Sequence, residues 1–181
     1  MWLAHALTLS RIPLAIALWW VWGEPLPALA LVAAAALTDT ADGRVARWAK
    51  RRGATGPDIG GWLDPAVDKL FVAIVLAAVW VHTRQLLVIA LLGAREIVLV
   101  PLIGIHVARR APHRKLQADA LGKAATVAQF IALCVIVADP DAVAPGLAAA
   151  AIAGALGLGA AAHYVALAVR DARAIRDTPA G

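Results

Sequence analysis

Apolar residues run in six long stretches, at about positions 8–22, 26–46, 62–81, 86–107, 116–138 and 143–169. A helix needs about 20 largely apolar residues to cross a bilayer. The pattern predicts an all-α integral membrane protein of six transmembrane helices. The connection after the second stretch carries Arg44, Arg47, Lys50, Arg51 and Arg52. The connection after the fourth carries Arg109, Arg110, Arg114 and Lys115, and the C-terminal tail carries Arg170, Arg173 and Arg176. The alternate connections hold only Arg84. Basic loops stay on the cytoplasmic side, so the expected topology has both termini in the cytoplasm. Five spans would leave one basic group outside. Trp19, Trp20, Trp22 and Trp80 then fall at the outer interface, and Trp2, Trp48 and Trp62 at the inner one, where such rings sit. The first stretch has no basic leader and ends in tryptophans rather than small residues, so it reads as a retained span and not a cleaved signal.

Composition agrees. Of the 181 residues, 62% are hydrophobic and 16% charged, against about half and a quarter in soluble domains. One membrane domain over residues 1–181 is expected, with no repeat or linker. The excess of Lys and Arg over Asp and Glu, 17 against 12, suits loops facing anionic lipid and not a nucleic-acid partner. The lone Cys134 permits no intrachain disulfide. Gly154, Gly157 and Gly159 in the last stretch offer close helix packing, within one chain, through their small size.

The charges inside the stretches change the picture most. Arg11, Lys69, Arg95 and Lys123 lie within them. Asp39, Asp42, Asp64, Asp68, Glu96 and Asp119 lie within them or at their edges. Each costs about 3 kcal/mol in hydrocarbon on insertion scales, so each marks a candidate site. Asp39 and Asp42 are three apart near the inner end of the second span. Asp64 and Asp68 are four apart near the inner start of the third. Both spacings put a pair on one helix face. Four carboxylates meeting at one depth call for divalent cations, and all-oxygen ligation favours Mg²⁺ or Mn²⁺, with Ca²⁺ in a looser site. Gly43 follows Asp42, Ala46 and Arg47 come a turn later, and Gly60 precedes Asp64 by a turn. Small residues leave room for a ligand against the backbone, and Arg47 offers a fork for phosphate oxygens. Metals, glycine clearance and an arginine together point to phosphoryl-transfer chemistry.

Asp39-Thr-Ala-Asp42-Gly43-Arg-Val-Ala46-Arg47, followed by Gly60-Gly-Trp-Leu-Asp64-Pro-Ala-Val-Asp68, resembles the signature of the CDP-alcohol phosphatidyltransferases, DxxDGxxAR, a spacer, then GxxxDxxxD. The opening Leu7-Thr8-Leu9-Ser10-Arg11 resembles that family's LTxxR start, and weaker similarity reaches Gln129. The spacer of twelve residues between Arg47 and Gly60 is longer than is usual there, and His5 stands where relatives often have asparagine. The resemblance implies a six-helix membrane enzyme, a homodimer, in the bacterial inner (cytoplasmic) membrane with its site facing the cytoplasm. It implies a CDP-diacylglycerol donor and an alcohol acceptor, with membrane lipids around them. Asp39, Asp42, Asp64 and Asp68 would ligate two divalent metal ions, Mg²⁺ or Mn²⁺. Gly43, Ala46, Arg47 and Gly60 would cradle the CDP part. Asp68 is the candidate catalytic base.

For the acceptor, Ala94-Arg95-Glu96 and Gly122-Lys123-Ala-Ala-Thr126-Val-Ala-Gln129 resemble elements of phosphatidylglycerophosphate synthases. Gly122, Thr126 and Gln129 share one helix face. Arg11, Arg95 and Lys123 are the candidate acceptor-phosphate ligands, against internal neutralisation for Arg95 and Lys123 and snorkelling for Arg11. Ala125 replaces a second lysine common in those synthases, and GKAAT also resembles CMP-forming cardiolipin synthases. Glycerol-3-phosphate is the leading acceptor and phosphatidylglycerol the alternative. A divalent-cation transporter would need an acidic path to the outer face, where only Glu24, Asp139 and Asp141 stand. A non-catalytic scaffold leaves the full acid set without a purpose.

Overall fold

The computed structural model describes residues 2–52, 60–108 and 120–176, of which some are described by backbone alone. They form helices only: α1 (Trp2–Trp20), α2 (Pro25–Arg51), α3 (Gly60–Thr83), α4 (Leu86–Leu92), α5 (Ala94–Ala108), α6 (Ala120–Ala138) and α7 (Val143–Arg176). Four are long and apolar enough to cross a membrane, over Pro25–Val45, Ala66–Thr83, Ala120–Ala138 and Val143–Leu167.

The turns follow from local chemistry. Gly23 takes φ +91° between α1 and α2, a conformation without steric cost only for glycine. Pro25 then starts α2 with its fixed φ. Between α3 and α4, Arg84 takes φ +56°. There the Thr83 hydroxyl donates to the Val79 carbonyl (2.7 Å) and accepts from the Gln85 N–H (3.3 Å). The Asp139 carboxylate caps the turn into α7 by accepting the Ala142 N–H at 3.2 Å.

Six apolar stretches become seven helices because the fourth is interrupted. Gly93 closes α4 with φ −87° and ψ −2°. Hydrogen bonds from Gly93 N–H to Ile89 O (2.8 Å) and from Ile97 N–H to Gly93 O (2.9 Å) carry the chain across the break. Helix α7 comes close at this break. A Cβ on Gly154 would stand 2.8 Å from the Leu91 carbonyl oxygen, and one on Gly157 would stand 3.0 Å from Arg95 Cβ. Backbone thus meets backbone at the α4–α5 break.

Helix α1 packs on α2 and α3, while α4, α5 and α6 pack on α7, and α2 meets α6 to join the two groups. Small residues fill the joint: Ala15, Ala28, Ala35, Ala132, Ala150 and Ala153 are buried beside Leu18, Val32, Val75, Val79 and Val137. The outward faces are apolar too, with Ile16, Leu37, Leu87, Ile97, Val127, Ile131 and Ile152 exposed. That is the reverse of a water-soluble bundle, whose exposed stripe is polar. Trp22 stacks on His82 at 4.8 Å between centroids, and Trp19 donates to the Ile74 carbonyl at 3.2 Å. These contacts tie the ends of α1 and α3 together at the side away from the aspartates.

Candidate functional site

Three helices deliver the acid cluster. One turn of α2 carries Asp39 and Asp42, and α3 carries Asp68. All three converge on Arg11 of α1. Its Nη1 donates to Asp39 Oδ1 at 2.9 Å and also to Asp68 Oδ1, while Nη2 donates to Asp42 Oδ2. The Thr8 hydroxyl, one turn earlier and buried, donates to the same Asp42 oxygen at 3.3 Å. The Arg11 side chain is only 4% exposed, Asp42 13% and Asp39 33%, whereas Asp68 is 51% exposed. Asp68 is therefore the most exposed of the three. These are all the ion pairs among the described residues.

Beside the cluster lies a cavity of about 350 Å³ at the seam between the two helix groups, within the size range of small-molecule sites. Its polar side holds Arg11, Asp39, Asp68 and Lys69, with Arg95, Glu96, Thr126 and Gln129 from the other group. Its floor is apolar, built from Phe71, Val75, Leu76, Leu92, Phe130 and Leu133. Arg95 Nη1 donates to the Thr126 hydroxyl at 3.0 Å, and that hydroxyl donates to the Gly122 carbonyl at 3.1 Å. The Gln129 amide donates to the Leu92 carbonyl (2.8 Å), at the end of α4, and to the Glu96 carboxylate (3.5 Å). The buried Nε atoms of Arg11 and Arg95 have no protein acceptor. Both belong to residues lining the cavity, where a ligand oxygen would satisfy them.

Of the sequence-predicted acids, the structure brings Asp39, Asp42 and Asp68 together. Asp64 and Gly60 lie on the first turns of α3, and Ala46 and Arg47 on the last turns of α2. The side chains of these residues lie outside the described set, as does Asp119 altogether. Gly43 follows Asp42 on α2. Arg11 does not snorkel to the interface: it is the counter-ion of three aspartates. Lys123 is exposed on α6 and does not line the cavity; Lys69 does. Gly122, Thr126 and Gln129 lie on the unbroken helix α6; Thr126 and Gln129 line the cavity, and Gly122 lies beside Tyr164, whose hydroxyl is 3.3 Å from where a Cβ would stand. The pairing of Thr8 with Asp42 escaped the sequence reading; the LTxxR element holding Thr8 beside Arg11 was its only signal.

The family model for CDP-alcohol phosphatidyltransferases matches residues 1–169. The chain belongs to that family. Two of its relatives are similar over most of this chain. A CDP-diacylglycerol–glycerol-3-phosphate 3-phosphatidyltransferase from Pectobacterium atrosepticum is 34% identical over 81% of this chain and 82% of its own length. The second enzyme of that name in Arabidopsis thaliana is 31% identical over 77% of this chain. The match spans 65% of the plant protein. No solved structure matches the chain.

The acid cluster suits the divalent cations on which CDP-alcohol phosphatidyltransferases generally depend. Three carboxylates face one guanidinium, which leaves two formal negative charges uncompensated. The donors are all oxygen, the choice of hard cations. No group of three or more acidic, histidine or cysteine side chains among the described residues forms a ready-made cage. Arg11 stands between the aspartates instead. The fit thus rests on charge and donor type.

Proposed function

We propose that this phosphatidyltransferase moves the phosphatidyl group of CDP-diacylglycerol to a primary hydroxyl of glycerol-3-phosphate, releasing CMP and phosphatidylglycerophosphate. The observation that carries the reading is the convergence of Asp39, Asp42 and Asp68 beside a cavity that also holds Arg95. Both relatives are glycerol-3-phosphate 3-phosphatidyltransferases by name, which supports this acceptor.

Asp39, Asp42 and Asp64 would hold two divalent ions, Mg²⁺ or Mn²⁺, with Asp68 sharing in ligation. When bound, such ions supply positive charge that polarises the pyrophosphate and stabilises the departing CMP. Gly43, Ala46 and Gly60 leave room for the nucleotide against the helix backbones, and Arg47 takes a phosphate oxygen. Asp68, half exposed at the cavity, accepts the proton of the acceptor hydroxyl. The new bond joins the acceptor oxygen to the lipid-bearing phosphorus as the bond from that phosphorus to the CMP oxygen breaks. Arg11 orients Asp68 through its hydrogen bond. Arg95 takes the acceptor phosphate, its Nε available for a second oxygen. The apolar floor of Phe71, Val75 and Leu133 keeps water away from the phosphorus, which limits hydrolysis.

In the membrane, α1 forms the first of six spans, and α4 and α5 together form one span interrupted at Gly93. Both termini and the acid site face the cytoplasm of a bacterial inner membrane, and the enzyme is a homodimer. The basic connections and the cytoplasmic origin of CDP substrates support this placement.

Purified protein given labelled CDP-diacylglycerol, Mg²⁺ or Mn²⁺ and a panel of acceptors tests the reading. Glycerol-3-phosphate should release CMP and yield phosphatidylglycerophosphate, and EDTA should stop it. Turnover of phosphatidylglycerol alone would replace this acceptor with that of a cardiolipin synthase. Full turnover in metal-free buffer would refute the role of the aspartates as metal ligands.

A further inference from the structure

The phosphoryl transfer described above leaves Glu96 without a task. It sits next to Arg95 on α5, and both line the cavity. A site built only to bind an anionic acceptor gains nothing from a carboxylate there, because like charges repel. Arg95 and Lys69 both lie near enough to Glu96 to interact with it electrostatically, yet neither closes an ion pair with it. Every ion pair within 4.0 Å among the described residues belongs to Arg11, and Arg95 directs its Nη1 to Thr126. Glu96 is instead held by an amide. Gln129 is anchored on the Leu92 carbonyl at 2.8 Å and reaches the Glu96 carboxylate at 3.5 Å. An ionised carboxylate is an acceptor only, with about four lone-pair positions; Gln129 and the backbone N–H of Glu96 itself engage it, which leaves positions that a ligand hydroxyl can fill.

A ligand matching both neighbours carries an anion for Arg95 and a hydroxyl for Glu96, on adjoining atoms. We propose that Glu96 accepts a hydrogen bond from the secondary hydroxyl at C2 of glycerol-3-phosphate, and that Gln129 is the positioning residue that holds Glu96 for it. This rests on the acceptor reading above. Fixing the phosphate at Arg95 and C2 at Glu96 leaves one rotatable end, the primary hydroxyl, which turns towards Asp68. The pair thereby selects a phosphorylated diol over a phosphorylated mono-alcohol. A site that hydrogen-bonds a substrate hydroxyl discriminates strongly against analogues lacking it.

The test compares sn-glycerol-3-phosphate with 3-hydroxypropyl phosphate, which keeps the primary hydroxyl and the phosphate and lacks only the C2 hydroxyl. In the wild-type enzyme the deoxy acceptor should lose about ten- to a hundred-fold in kcat/KM, the worth of a charge-assisted hydrogen bond. Glu96→Ala should bring the two acceptors within about threefold, with glycerol-3-phosphate losing and the deoxy acceptor holding its rate. Gln129→Leu should reduce the discrimination partway by raising the KM for glycerol-3-phosphate, with the KM for CDP-diacylglycerol unchanged. Equal use of both acceptors by the wild-type enzyme overturns the proposal without any variant being needed. Undiminished discrimination in Glu96→Ala assigns the hydroxyl to another group and also overturns it. If CMP is released only with an acceptor other than glycerol-3-phosphate, the acceptor assignment falls and this inference falls with it. That outcome differs from the previous two, in which glycerol-3-phosphate still reacts.

Discussion

Replacing Arg11 with methionine keeps the bulk of the side chain and removes its charge from among three aspartates. Breaking a buried ion pair from one side costs about 3–5 kcal/mol, because the remaining charge stays buried and unpaired. The three partners do not contribute equally. Asp42 is 13% exposed, so its share is close to that buried value, while Asp68 is 51% exposed and adds only the ~0–1 kcal/mol of a surface pair. Asp39, 33% exposed, lies between them, and the expected loss is about 3–5 kcal/mol. For a chain of this length that corresponds to a fall of roughly 6–20 °C in Tm. Thermal unfolding of the detergent-purified protein in EDTA, followed by loss of monodisperse material, measures it. Adding Mn²⁺ should return much of the loss, since cations take over the carboxylates that the guanidinium left. Metal stabilisation should thus be larger in Arg11→Met than in the wild type. Arg11→Lys should fall between, because one ammonium cannot present the fork that spans Asp39 and Asp42. A methionine variant that melts within a degree or two of the wild type in EDTA, with unchanged response to Mn²⁺, would refute Arg11 as the counter-ion of the cluster.

Three further outcomes are expected. In a Cys134→Ala background, an impermeant thiol reagent on intact cells should label a cysteine introduced at Asp139 and spare one at Arg51; labelling at Arg51 would invert the proposed topology. Gly154→Val should destabilise the fold by roughly 1–3 kcal/mol through overpacking, because even the Cβ would stand 2.8 Å from the Leu91 carbonyl; an unchanged melting temperature would show that α7 can move away without loss. Arg95→Gln should raise the KM for glycerol-3-phosphate about ten- to a hundred-fold, whereas Lys123→Gln, on the exposed side of α6, should change it little; equal effects would put Lys123 at the acceptor.

The acid motif was legible because its information is local. Positions three and four apart share a helix face whatever surrounds them, so Asp39 with Asp42, and Asp64 with Asp68, declare themselves from spacing. Arg11 did not, since its partners stand 28, 31 and 57 positions away and nothing in its own helix separates a snorkelling arginine from a buried one. Hydropathy runs straight through Gly93 in the fourth apolar stretch, because a window average does not register a local change of backbone geometry at one glycine. Lys123 and Lys69 differ for a related reason. Helical period gives the faces of α6 and α3, but which face meets the cavity depends on the neighbours, and α6 turns Thr126 and Gln129 inward while leaving Lys123 out.

The last helix brings no reacting group to the site, yet its glycines set the distance at which α4 and α5 lie. Gly157 meets Arg95 at its Cβ, and Gly154 meets the backbone one residue before Leu92, whose carbonyl anchors Gln129. A single methyl group added to α7 would therefore push on Arg95 and on the end of α4 that anchors Gln129. Under the roles proposed for Arg95 and Gln129, acceptor preference would then respond to substitutions in α7, a helix that contributes no aspartate to the cluster.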